Sequence, residues 1–310
     1  MIIGHVVLFV VALVLVWRSA DYVVDASRAM AHYWQLPPYI VGATVVAFGT
    51  SAPELFVSGF AAYDGLSGVV YGNILGSNMA NMALILGVSL VLGPIRFTPV
   101  MVRELWVNMA IMGLFLGAVW WVDNRFWIAG LLGLLGFMGY QWYQLRGQNR
   151  DAIVHDTPIR FSGRQAVGVF VVALGVLIGS AQLLVKEVLV LGELLGVSAG
   201  FVSLFAVALG TSLPELVTSV QCMRKHVPDI VVGNVMGSNI FNVFGIIPVA
   251  WLIGDLPFPS AFFTEIGILI GVIAALLVMA SCVKKTPFWL GYALIGLYVV
   301  YIGYRYMYQA

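Results

Sequence analysis

Apolar residues run along this chain in ten blocks, each closed by polar, glycine or proline positions. A bilayer-spanning helix needs about 20 mostly apolar residues. The blocks predict helices over 2–24, 39–63, 68–92, 101–122, 126–146, 164–185, 199–223, 230–254, 261–281 and 287–306. One long polar interruption, 147–163 (GQNRDAIVHDTPIRFSG), leaves five blocks on each side. The first block lacks a basic leader and a small-residue cleavage site, so it reads as a retained helix. The pattern predicts an all-α polytopic membrane protein.

The two sets of five are related. Residues 49–54 read GTSAPE and 210–215 read GTSLPE, while 72–81 read GNILGSNMAN and 233–242 read GNVMGSNIFN. Both pairs lie 161 positions apart, and 14 of the 33 positions in 49–81 are identical in 210–242. The organisation is therefore a first unit at 1–146, a linker at 147–163 and a second unit at 164–310. Five is odd, so the second unit enters the membrane from the opposite face, and the two become inverted repeats with a site expected at their interface. Lys and Arg set the orientation. Eleven fall on the side of the 147–163 connection and three on the other, with Arg18 near the first helix. By the positive-inside bias, 147–163 is cytoplasmic and both termini are outside.

Composition narrows the class further. The chain is 61% hydrophobic and 9% charged, against about 25% charged in soluble domains. A net charge of +1 offers no basic stripe for nucleic acid. Two cysteines, Cys222 and Cys282, and four scattered histidines give neither a disulfide framework nor metal-ligand spacing. Both cysteines map near cytoplasmic helix ends and are expected reduced. No nucleophile–base pair or cofactor motif points to an enzyme. No partner protein and no cofactor are expected.

The repeated motifs carry the chemistry. Glu54 and Glu215 fall deep in the second and seventh blocks, where a carboxylate is costly unless it meets a counter-charge or a cavity. Pro53 and Pro214 remove an amide proton and break their helices, freeing backbone oxygens. Helical spacing puts Thr50 and the Ala47 carbonyl on the face of Glu54, with Ser51 close by. Thr211, Ala208 and Ser212 repeat that arrangement around Glu215. Ser77 and Asn81 form a second polar stripe, repeated by Ser238 and Asn242. Gly72 and Gly76, like Gly233 and Gly237, are GxxxG steps for close helix packing. Asn73, Asn78, Asn234 and Asn239 read mainly as caps or cross-links. Two carboxylates among neutral oxygens balance one Ca2+ or two Na+, and oxygen-only sites select hard cations.

These paired motifs resemble the two alpha-repeats, 47–81 and 208–242, of the sodium/calcium exchanger family in the Ca2+/cation antiporter superfamily. The resemblance implies exchange of Na+ for Ca2+ through sites that alternate in exposure, with Ca2+ extrusion driven by inward Na+. It implies Glu54 and Glu215 as shared Ca2+/Na+ ligands. Thr50, Thr211, Ser51, Ser212, Ser77 and Ser238 then supply hydroxyl and backbone oxygens, Ala47 and Ala208 carbonyls, and Asn81 and Asn242 amides. Asn rather than Asp at 81 and 242 argues against K+ co-transport. The 17-residue linker is too short for a Ca2+-sensing domain, so the chain resembles the compact prokaryotic form in a cytoplasmic membrane. The competing reading is an H+/Ca2+ antiporter using the same glutamates. Cation/proton exchangers place an acid soon after the second-motif GN, and here that stretch is Ile74-Leu75-Gly76-Ser77.

Overall fold

The computed structural model describes residues 2–122, 125–146, 159–195 and 210–308. Its elements are α1 (Ile2–Tyr33), α2 (Pro38–Thr50), α3 (Ala52–Tyr63), α4 (Ser67–Leu92), α5 (Pro99–Val122) and α6 (Phe126–Arg146). After the linker come α7 (Gly163–Leu194), α8 (Leu213–Arg224), α9 (Pro228–Ile253), α10 (Phe262–Cys282) and α11 (Phe288–Tyr308). Outside these helices the described connections are short, with one isolated backbone bridge between Arg96 and Lys285. Among the described residues seven helices are long and apolar enough to cross a membrane, and the bent α2–α3 pair makes eight.

The duplication is visible in the elements themselves. The interval that separates the paired motifs also separates both ends of α7 from those of α1, α8 from α3 and α9 from α4. The bounds of α10 and α11 fall within two residues of those of α5 and α6 shifted by the same interval. Even the irregularities recur: α4 contains a π-helical turn at Ala80–Ile85 and α9 one at Asn242–Ile246.

Two helices differ in length from the hydrophobic pattern. Both α1 and α7 have 32 residues and run well past the predicted ends at 24 and 185. At 1.5 Å per residue each is about 48 Å long, well beyond a hydrocarbon core of about 30 Å. The extra turns are amphipathic. In α1, Ala26, Ala29 and Met30 are buried while Asp25 pairs with Lys225 at 2.5 Å and Arg160 at 3.2 Å. A hydrophobicity block ends where charge begins, but a helix continues wherever one face still has something to cover.

The proline motifs also act differently from a kink within a running helix. The break falls one residue earlier than the residue preceding proline, at Ser51 (φ −86°, ψ 10°) and Ser212 (φ −87°, ψ 5°). Pro53 and Pro214 are each the second residue of a new helix, where a missing amide proton costs nothing. Helices α2 and α3 meet at 46°.

Helices α4 and α9 form the enclosed centre, with 78% and 94% of their apolar stretches buried, against 17% for α1. Glycine allows the tightest approach there. A Cβ at Gly233 or Gly237 would overlap the α2 backbone from Tyr39 to Ala43. Gly72 and Gly76 do not repeat that contact, because their open faces meet the Arg305 and Phe262 side chains. The expected close packing thus holds for the α9 pair and not for the α4 pair. At the α5–α6 turn, Trp120, Trp121 and Trp127 are exposed, as interfacial aromatics should be.

Candidate cation site

Glu54 and Glu215 are each the third residue of a half-helix, α3 and α8. Unpaired backbone N–H groups and the positive end of the helix dipole favour a carboxylate in that first turn. Both side chains are 1% exposed. The local sequences Ser-Ala-Pro-Glu and Ser-Leu-Pro-Glu have capping-box spacing, yet neither serine caps its own helix. Ser51 instead donates across the repeat interface to Glu215 Oε1 at 3.0 Å. Glu54 Oε1 accepts from Ser77 on α4 at 3.1 Å, and Ser77 in turn accepts from Ser212 at 3.3 Å. Each carboxylate is therefore tied to the other half of the chain, Glu215 directly and Glu54 through Ser77.

The surrounding bonds come in pairs related by the repeat interval. Thr50 donates to Asn234 Oδ1 at 3.2 Å, and Thr211 donates to Asn73 Oδ1 at 3.4 Å. Asn81 donates to Asn239 Oδ1 at 3.0 Å, and Asn242 donates to Asn78 Oδ1 at 2.9 Å. Asn81 and Asn242 sit on the two π-helical turns, irregularities often found at functional sites. Asn73 also donates to the Glu54 carbonyl at 3.2 Å and to Ser58 at 2.9 Å. Asn73, Asn78, Asn234 and Asn239 all bridge helices, Asn234 through Thr50 alone among the described residues and Asn73 through Thr211 as well as Ser58 and the Glu54 carbonyl.

What these bonds leave over is weighted toward acceptors, although the buried Nδ2 groups of Asn234 and Asn239 also find no partner among the described residues. Among the described residues, Glu54 Oε2, Glu215 Oε2, Asn81 Oδ1, Asn242 Oδ1 and the Ser238 hydroxyl are buried with no hydrogen-bond partner. Buried polar atoms are rarely left unsatisfied, and the two carboxylate and two amide oxygens can only accept. A dehydrated hard cation supplies what they lack. No three His, Cys, Asp or Glu side chains converge among the described residues, so any cation here depends on amide, hydroxyl and backbone oxygens beside the two glutamates.

Of the residues singled out in the motifs, Thr50, Ser51, Glu54, Ser77, Thr211, Ser212 and Glu215 lie in or beside this network. Asn81 and Asn242 lie in the adjoining asparagine set. Ser238 is buried without a bond. The Ala47 carbonyl already accepts the Ser51 amide at 3.0 Å. Ala208 lies outside the described residues.

Among the described residues, three further buried carboxylates lie outside the motifs: Glu187 on α7, which meets His5 Nδ1 of α1 at 2.7 Å, and a matched pair, Glu104 and Glu265. On α5, Glu104 Oε1 accepts from Arg103 at 2.7 and 2.9 Å, and Oε2 accepts from Tyr140 on α6, which itself accepts from Gln144. On α10, Glu265 Oε2 accepts from Tyr301 on α11 at 2.8 Å, with Arg305 at 3.4 Å from Oε1. Glu265, Tyr301 and Arg305 are the repeat counterparts of Glu104, Tyr140 and Gln144, at the interval of the central motifs. That interval, followed beyond residue 81, is the signal that finds them. Each carboxylate of this pair has a cation beside it, so these two are structural ties rather than ion sites.

A broken span, α2–α3, that meets α4, α8 and α9 at an acceptor-rich, carboxylate-bearing centre defines a polytopic membrane transporter. The family model for sodium/calcium exchanger proteins matches residues 4–146 and 165–307. An uncharacterized membrane protein, MJ0091, of Methanocaldococcus jannaschii is 31% identical over 298 residues, covering 95% of this chain and 96% of that protein. The sodium/calcium exchanger MaX1 of Methanosarcina acetivorans is 29% identical over 350 residues, covering 97% and 98%. A solved structure of the sodium-calcium exchanger NCX_Mj, soaked with Na+ and Sr2+, superposes with a TM-score of 0.84 at 28% identity, covering 98% of this chain and 99% of that one. The chain belongs to the sodium/calcium exchanger family: it is a membrane antiporter and not an enzyme.

Proposed function

We propose that this protein exchanges Na+ for Ca2+ by alternating access between two inverted five-helix repeats, 1–146 and 164–310, joined by 147–163. The observation that carries this reading is the pair of buried carboxylates, one from each repeat, each with Oε2 unpartnered and each tied across the interface. Ca2+ or several Na+ occupy overlapping sites built on Glu54 and Glu215. Thr50, Thr211, Ser51, Ser212, Ser77 and Ser238 contribute hydroxyl or backbone oxygens, Asn81 and Asn242 amide oxygens, and Ala47 and Ala208 carbonyls. Leaving the carboxylates buried and charged without a cation is costly, so only loaded forms change sides, and competition for the same oxygens couples the two fluxes. The membrane is the cytoplasmic membrane of a prokaryote, with 147–163 inside, both termini outside and Ca2+ extruded.

The test is labelled Ca2+ uptake into proteoliposomes under an outward gradient of Na+, K+ or H+. Uptake is expected with Na+ alone. Uptake driven only by protons would replace this reading with H+/Ca2+ antiport at the same glutamates.

A further inference from the structure

Arg18 stands apart from every other charge near the centre of α1. It is exposed on the membrane-facing side of the helix and makes no hydrogen bond or ion pair with any described residue. By contrast, Asp21, Asp25 and Arg28, further along α1, are all engaged in ion pairs. The repeat counterpart of Arg18 is Gly179, so the α1–α7 seam does not require a charge there. Ser19 and Ser180, which do correspond, each donate to a carbonyl four residues back at 2.6 Å.

Arg18 borders a groove of about 480 Å³ between α1 and α7, walled almost entirely by apolar atoms from Leu15, Val172 and Val176. Gly168 lies in the same wall, and a Cβ built on it would meet nothing within 4 Å. The volume falls in the range that holds small amphiphilic ligands. One end of the groove adjoins polar side chains, although their polar atoms contribute almost nothing to its wall. Tyr22 lines it, accepting a hydrogen bond from Arg160 at 3.2 Å, with that guanidinium 4.6 Å from the ring. Tyr22 also contacts Phe161, just before α7, so this end lies at the membrane interface on the side of 147–163. Arg18 is about one helical turn, ~6 Å, deeper along α1.

A lone arginine one turn below the interface, at the edge of an apolar groove, matches a ligand that is anionic at one end and hydrocarbon at the other. We propose that this groove binds an anionic phospholipid, with an acyl chain between α1 and α7 and the phosphate accepting hydrogen bonds from Arg18. Basic pockets between membrane helices capture lipid headgroups in this way, and the guanidinium fork suits phosphate geometry. The site is independent of which ions the protein carries.

Native mass spectrometry of the protein released from mixed micelles of phosphatidylglycerol and phosphatidylcholine tests it. The wild type should retain one phosphatidylglycerol with at least a tenfold preference. Arg18→Gln should remove the preference, and Arg18→Lys should keep most of it. Gly168→Leu, whose Cβ would meet nothing within 4 Å and whose side chain would take up groove volume, should abolish retention of either lipid. Arg164→Gln, at an exposed arginine outside the groove, should change nothing. Unfolding temperatures in detergent establish that each variant is folded. Equal retention of both lipids by the wild type overturns the proposal. So does unchanged phosphatidylglycerol binding in Arg18→Gln and Gly168→Leu, or loss of preference in Arg164→Gln instead.

Discussion

A carboxylate in the first turn of a half-helix is held by backbone dipoles before any side chain reaches it, and Glu54 and Glu215 both occupy that position. Their unpartnered Oε2 atoms make charge, rather than shape, the property to remove. Glu54→Gln or Glu215→Gln should abolish Ca2+ movement in proteoliposomes while leaving the unfolding temperature near that of the wild type. Normal transport by either variant would remove the glutamates from the ion path. Ser51→Ala is a finer probe, because it deletes the hydroxyl that holds Glu215 Oε1. A hydrogen bond to a charged group contributes about 1.5–3 kcal/mol, so half-saturation for Ca2+ uptake should rise about tenfold or more with little change in maximal rate. Glu54, Glu215 and their hydroxyl neighbours could be read from the sequence because the motif recurs at constant spacing. That Ser51 serves Glu215 instead of its own helix could not be, since capping-box spacing points to a local bond and only the crossing of the two repeats redirects it.

Helices α4 and α9 are copies of one element in different surroundings, and glycine reports the difference. Gly237 lies against the α2 backbone, whereas Gly76, its counterpart, faces only the end of the Arg305 side chain. Gly237→Ala should therefore destabilise the protein by about 1–3 kcal/mol through overpacking, and Gly76→Ala should stay within about 0.5 kcal/mol. Thermal unfolding in detergent compares them directly, and equal costs would contradict the asymmetric packing. Such asymmetry is invisible in a repeat alignment, where the two GxxxG steps look alike. The lengths of α1 and α7 were hidden for another reason: past Val24 and Val185 the pattern changes from uniformly apolar to one-sided, and a rule tuned to hydrocarbon thickness stops there.

Across the whole molecule the duplication extends to ties far from the centre. The Glu104–Tyr140 and Glu265–Tyr301 pairs fasten α5 to α6 and α10 to α11 with the same atoms. The second copy places Arg305 where the first has Gln144. Arg305→Gln should cost about 3–5 kcal/mol, because Glu265 would remain buried without its cation, and a melting curve unchanged from wild type would show that the pair contributes nothing. Ca2+ exchange per folded molecule should survive, since neither residue belongs to the central network. The duplicated plan was readable in the sequence because one constant interval separates every matched pair. These outer pairs lacked a contiguous motif to draw attention to them.

The most direct test of the proposal that two carboxylates are shared between ions is equilibrium binding of radiolabelled Ca2+ to the purified protein, titrated with Na+ at fixed pH. Na+ should displace all bound Ca2+ from the wild type with a slope steeper than one-for-one, and neither Glu54→Gln nor Glu215→Gln should bind Ca2+. Ca2+ that remains bound at saturating Na+, or that either variant binds like the wild type, would contradict a common site at the repeat interface.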